Sequence, residues 1–200
     1  MKKSFILIIV AIALAAVFSG CSGKIKGDGK MVDEKLSYDG SITKIEMGDI
    51  GATLNVTAAE NNEVTYTIDE NLKDLLDITV KSGVLKIGAK SKKDFTSKEG
   101  ITFHVGTDQL EELIVDGAVK ANLSGATDQL TVTVEGAANI KARDYIVQDL
   151  SITMEGAGLA EVYAEKTLNA TIEGAAKVTY WGNPEVTKSI DGIGSVKKGD

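Results

Sequence analysis

The sequence predicts an all-β solenoid, a parallel β-helix with coils of about 18–20 residues. Three observations carry this. A glycine-centred segment recurs at a near-constant period, each copy is preceded by two-residue alternation of apolar and polar side chains, and Val, Ile and Thr abound while Pro occurs once in 200 residues. The five copies are IVDGAVKA from Ile114, TVEGAANI from Thr133, TMEGAGLA from Thr153, TIEGAAKV from Thr171 and SIDGIGSV from Ser189. Their first glycines, Gly117, Gly136, Gly156, Gly174 and Gly192, are 19, 20, 18 and 18 residues apart. A period near 20 marks a solenoid, whose units bury their apolar faces only by stacking on one another.

From the N-terminus, the first element is an export signal. Met1-Lys2-Lys3 is followed by an apolar run from Phe5 to Phe18, 14 residues long. That is short of the roughly 20 needed to span a bilayer and fits the core of a secretory leader, residues 1–20. Phe18-Ser19-Gly20-Cys21 resembles a lipobox, which implies that Cys21 becomes the first mature residue and carries a diacylglyceryl thioether. Residues 21–40 then read as a lipidated N-terminus and flexible tether, Gly-rich and polar in SGKIKGDGK. The lipid would hold the protein on a membrane of the cell envelope, and Ser22 favours the outer one.

The domain proper is expected over residues 41–200. Strands are expected at Ile42–Met47, Ala52–Ala58, Glu63–Asp69, Ile78–Lys81, Val84–Ala89 and Ile101–Val105, with a helical turn at Asn71–Leu76 and a polar loop over Ser91–Gly100. In the repeats, alternation places Leu130, Leu150 and Leu168 in one interior ladder, and Val134, Met154 and Ile172 in another. After each glycine corner a second strand carries Ile140, Ala160 or Val178. The last copy puts Lys188 at an interior position, which suits an open terminal coil.

Charge narrows the partners. Without Lys2 and Lys3 the mature chain carries a net charge of about −9, which argues against nucleic acid and against adsorption to anionic lipid. A single cysteine excludes an intrachain disulfide and a cysteine metal cluster. One acidic residue precedes each repeat glycine: Asp116, Glu135, Glu155, Glu173 and Asp191. Stacked at the strand spacing of about 4.8 Å, they would repel by roughly 1 kcal/mol per neighbour in water, and could attract lysine or a cation. Thr133, Thr153, Thr171 and Ser189 share their face. Tyr163, Tyr180 and Trp181 form a possible sugar-stacking patch. His104 and the lone Arg143 lack a nucleophile or a facing carboxylate pair around them, so no catalytic residue, cofactor or metal is assigned.

The end of the chain, Tyr180-Trp181-Gly182-Asn183-Pro184-Glu185-Val186 followed by Gly192-Ile193-Gly194-Ser195-Val196, resembles the head GIN domain family of autotransporter-adhesin-like bacterial exported proteins. Glu70–Lys73 and Val84–Ile87 resemble its N-terminal half. The resemblance implies a right-handed parallel β-helix and no particular activity. Family members often have Ser before the repeat glycine, where this chain has Asp or Glu. The expected function is therefore a non-enzymatic, lipid-anchored envelope module for adhesion or structure, meeting an envelope glycan or another surface protein. A carbohydrate-binding or carbohydrate-active β-helix is the alternative.

Overall fold

Alternating side chains bury one face of a strand, and a chain that repeats the pattern every coil satisfies both its apolar face and its backbone by stacking parallel copies. The structure, a computed structural model, describes residues 24–59, 63–90 and 94–200. The leader and Cys21 lie outside the described residues. The strands are β1 (Ile25–Lys26), β2 (Met31–Leu36), β3 (Lys44–Met47), β4 (Ala52–Thr57), β5 (Glu63–Asp69), β6 (Leu76–Lys81), β7 (Val84–Ala89), β8 (Phe95–Thr96) and β9 (Ile101–Gly106). Then come β10 (Glu112–Val115), β11 (Ala118–Val134), β12 (Ala137–Met154), β13 (Ala157–Ile172), β14 (Ala175–Gly182), β15 (Glu185–Ile190) and β16 (Ile193–Lys198). A 3-10 turn, Glu70–Leu75, follows β5.

Two parallel ladders face each other across the core. The first runs β7, β3, β10, then the C-terminal halves of β11, β12 and β13, and ends on β15. The second runs β9, β4, the N-terminal halves of β11, β12 and β13, then β14 and β16. The expected interior ladders stand in register: Leu130, Leu150 and Leu168 pair across strands, as do Val134, Met154 and Ile172, and all six are buried. Opposite them Ile140, Ala160 and Val178 align, also buried. Lys188 occupies the interior column after Ala170 yet is exposed, because β15 ends its ladder.

The glycines are there for space. A Cβ on Gly136 would collide with the carbonyl of Gly117, and the same holds for Gly156 on Gly136, Gly174 on Gly156 and Gly192 on Gly174. Those carbonyls carry the ladder around the corner, accepting from the amides of Ala137, Ala157, Ala175 and Ile193 at 2.7–3.0 Å.

The N-terminal half belongs to the same solenoid, with its coils out of sequence order. β3 and β4 form a coil whose corner, Gly48, stacks directly under Gly117. The later coil from β7 to β9 packs on the outside of that one, and the chain returns at β10 to continue on its other side. Antiparallel β6, and β5 with β2, close this end.

Two expectations over the N-terminal region change. The stretch expected as a tether is part of the fold from Ile25 onward: β1 pairs with β8 and β2 with β5. The expected polar loop at 91–100 supplies β8. The physical reason lies far along the chain. Buried Asp69 accepts hydrogen bonds from the Gly29 amide at 2.7 Å, the Lys98 amide at 3.1 Å and the Ser97 hydroxyl at 2.5 Å. Asn71 donates to the Lys26 carbonyl at 2.9 Å and accepts from the Asp28 amide at 3.0 Å.

Candidate functional site

Parallel stacking turns every outward position into a column of side chains, so candidate sites are columns. The acidic residues form one. Asp116, Glu135, Glu155, Glu173 and Asp191 follow in-register residues at the end of the first ladder, and each amide bonds the preceding coil at 2.7–2.9 Å. All five are exposed. Among the described residues no three His, Cys, Asp or Glu side chains gather closely enough to hold a metal ion. The structure thus aligns the five carboxylates without converging them.

Beside them lies a flat face of short polar side chains. Thr131, Ser151, Asn169 and Thr187 form one column, and Thr133, Thr153, Thr171 and Ser189 the next. Toward the N-terminal end this face turns ionic, where Lys44 bridges Glu46 and Glu112 at 3.2 and 3.0 Å and Lys86 meets Glu46 at 2.7 Å. Hydrogen bonds from Lys86 and Lys44 outweigh the cost of partial burial and hold the Glu46 carboxyl below its usual range. His104 is exposed on β9, in register with Asn55 and Thr65.

The surface with the most varied chemistry lies on the bend of the long strands. In β12, Arg143, Asp144 and Tyr145 have no partner on β13, where Ala142 and Ile146 face the consecutive residues Val162 and Tyr163. This bulge belongs to the 20-residue step between Gly136 and Gly156, the longest of the series. Bulges bend a strand and re-aim its side chains. Here Tyr145 turns inward, fully buried against Gly125, with its hydroxyl donating to the Leu110 carbonyl at 3.4 Å. Burial pushes the Tyr145 phenol up to about 12. Arg143 turns outward, and its guanidinium carbon lies 4.5 Å from the centre of the Trp181 ring, in reach of a cation–π contact.

Trp181 stands in register with Tyr163, and Tyr163 with Ile146, all three half-buried and on adjacent strands. Gly199 packs on the Trp181 ring edge, and the indole N–H donates to the Asp200 carbonyl at 3.3 Å. Ile146 opens into a groove of about 650 Å³, which Glu165, two residues beyond Tyr163, also lines. The other walls are mostly amides and carboxylates, Gln109, Gln129, Gln148, Asp108, Glu111 and Asp128, with Ala126 and Thr127 between them. Gln148 donates to Asp128, which fixes both. The expected aromatic patch is therefore partly assembled. Tyr163 and Trp181 are neighbours, whereas Tyr180 packs against the core. Sequence reasoning left Arg143 as an isolated surface cation and missed the groove. The available signal was the longer repeat step, which marks where β12 bulges.

The sequence matches the family described as "Putative auto-transporter adhesin, head GIN domain" over residues 42–122 and again over residues 112–184. The chain belongs to this family. The two overlapping matches fall on a domain that the solenoid makes continuous. Among solved structures, a putative adhesin from Bacteroides fragilis is similar at 15% identity and a TM-score of 0.51, over 87% of this chain and 99% of that one. A putative adhesin from Parabacteroides distasonis is similar at 23% identity and a TM-score of 0.42, over 88% and 100%. A putative lipid binding protein from the same organism is similar at 21% identity and a TM-score of 0.43, over 89% and 100%. The first likeness bears on fold, and the other two are too loose in shape to carry more. No curated protein matches the chain.

Proposed function

We propose that this head GIN domain protein is a non-catalytic adhesive module of the cell envelope, lipid-anchored through Cys21, which takes a neutral glycan in the groove beside Tyr163. The observation that carries the reading is that groove. Amides and carboxylates can accept and donate to sugar hydroxyls, while Ala126 and Ile146 are the apolar lining and Tyr163, paired with Ile146 on the next strand, extends it outside the groove. The carboxylates disfavour uronic or phosphorylated polymers by like-charge repulsion. Arg143 does not offset them, since its guanidinium lies on Trp181. The solenoid adds rigidity at Ile146, which is paired with Ala126 on one side and Tyr163 on the other, so little conformational freedom is lost there on binding.

An array of immobilised neutral and anionic glycans tests this with the unlipidated protein. Retention on neutral glycans is expected, weakened about tenfold or more by Tyr163→Ala, a loss of about 1.4 kcal/mol. Glu155→Gln, at the distant acidic corner, should leave it unchanged. Retention confined to anionic glycans would overturn the proposal. Cleavage of a retained glycan would overturn its non-catalytic part.

A further inference from the structure

The solenoid has two ends, and charge stands in the interior columns at both. Among the described residues, β15 and β16 at one end and β6 and β2 at the other each pair on one side only, which leaves four free strand edges. Ile190 continues the buried column of Met154 and Ile172 yet is 41% exposed, because it ends its ladder. Half-buried Val186 follows Leu150 and Leu168 in the same way. Beside them Lys188 stands in the column of Ala170, and Lys198 in that of Val162 and Tyr180. Both lysines are exposed, and Lys198 donates to the Asn183 side chain at 3.2 Å. At the opposite end Glu34 stands in the column of Phe103 and Tyr66, between half-buried Val32 and Leu36. It borders a hollow of about 320 Å³ between β2 and β6, floored by Leu36, Tyr66 and Ile78. The charges of the hollow are Glu34, Asp74 and Asp77 against Lys73 and Lys90, and Lys73 bridges Glu34 at 3.1 Å. An inward charge guards a free edge, since an added apolar strand would bury it unpaired.

A strand that brings the opposite charge escapes that cost, and the other end of the same molecule brings it. Two β15–β16 ends would set lysine against lysine, and two β2–β6 ends would set Glu34 against Glu34, so charge selects the unlike ends. Strand direction agrees. β6 runs antiparallel to the first ladder and β2 parallel to the second, so β15 would meet β6, and β16 would meet β2, in ordinary pairings. Extending the first ladder by one coil sets Ile190 on Ile78 and Lys188 on Val80 of the next copy. Extending the second sets Val196 on Glu34 of the next copy. Lys198, two residues on, then lies about 8 Å away along the diagonal, within a lysine's reach. Lys188 faces the same interior from the first ladder, and facing sheets lie about 10 Å apart. We infer that this protein stacks head to tail, the β15–β16 end of one copy on the β2–β6 end of the next, with Lys188 and Lys198 taken up by Glu34. Because the columns continue in line, the contact does not close on itself, and its product is an open row of copies.

The test uses the unlipidated protein, kept reduced so that Cys21 forms no disulfide. Sedimentation velocity from micromolar to millimolar protein should show dimers, trimers and longer rows in succession, weakened by high salt. The Lys188→Glu, Lys198→Glu double variant should need about tenfold or more protein to associate. Glu34→Lys should behave alike, since each change sets like charges end to end. An equimolar mixture of the two variants should associate as the parent does, because every contact again joins lysine to carboxylate. The double variant alters only exposed side chains, so it carries the test by itself if Glu34→Lys, deprived of its bridge to Lys73, loses its fold by circular dichroism. A parent that stays monomeric throughout, or that stops at the dimer, would overturn the inference. So would a double variant that associates like the parent, or a mixture of two folded variants that does no better than either alone.

Discussion

Asp69 has no solvent contact, so its charge depends wholly on the groups around it. Burial pushes its pKa up, but the hydrogen bonds from Ser97, Gly29 and Lys98 together push harder, leaving it below the ordinary value. A depressed folded pKa means stability that is present above the unfolded value, near 4, and is lost as pH falls toward the folded one. Asp69→Asn keeps the shape but turns an amide donor toward existing donors. It should cost about 1–3 kcal/mol at neutral pH and flatten the acid limb of stability, as urea titrations at pH 7 and pH 3 would read. Tyr145 has the opposite sign. Its folded pKa of about 12 lies above the ordinary 10, so its contribution is complete below pH 10 and lost as pH rises toward 12. Between pH 10 and pH 12 the parent should therefore lose about 2 kcal/mol of stability that Tyr145→Phe keeps, as urea unfolding followed by far-UV circular dichroism would read. Neither residue was legible in the sequence. Asp69 ends an ordinary strand and Tyr145 follows charged residues, and their roles come from partners 28 to 40 positions away.

Strands and corners were far more legible, because their causes are local. The alternation of Leu150-Ser151-Ile152-Thr153-Met154 sets both which side chains are buried and which coils align. Leu150→Ala should cost about 2–5 kcal/mol, while Thr131→Ala on the outer face should cost little. The corners can be tested the same way. Gly156→Ala would drive a methyl into the Gly136 carbonyl, whereas a methyl at Gly51 meets open space. Chemical denaturation should show a loss of at least about 2 kcal/mol for Gly156→Ala and almost none for Gly51→Ala. Equal losses would mean that conformational freedom, and not stacking space, keeps the glycines. β1 and β8 were missed because two-residue strands carry no period, and the Gly-rich composition of residues 22–30 points to a tether. Their order comes from the pairing of β1 with β8 and from the hydrogen bonds of Asp69 and Asn71, partners distant in sequence.

At the scale of the molecule, the repeat revealed the solenoid but not its full extent. The coil built by β7 and β9 lies outside that of β3 and β4, a reversal that no period records because β5, the 3-10 turn and β6 intervene. Of the candidate sites, the acidic corner and hydroxyl face follow directly from the repeat. The groove depends on the one coil that departs from it, through the β12 bulge. The account makes this departure, and not the regular faces, the place of recognition. A calorimetric titration of the best-retained neutral glycan into the parent, Thr153→Ala and Tyr163→Ala proteins tests that most directly. Parent and Thr153→Ala should bind with the same Kd, and Tyr163→Ala about tenfold or more weakly. A Tyr163→Ala protein that binds like the parent, or a Thr153→Ala protein that loses binding, would contradict it.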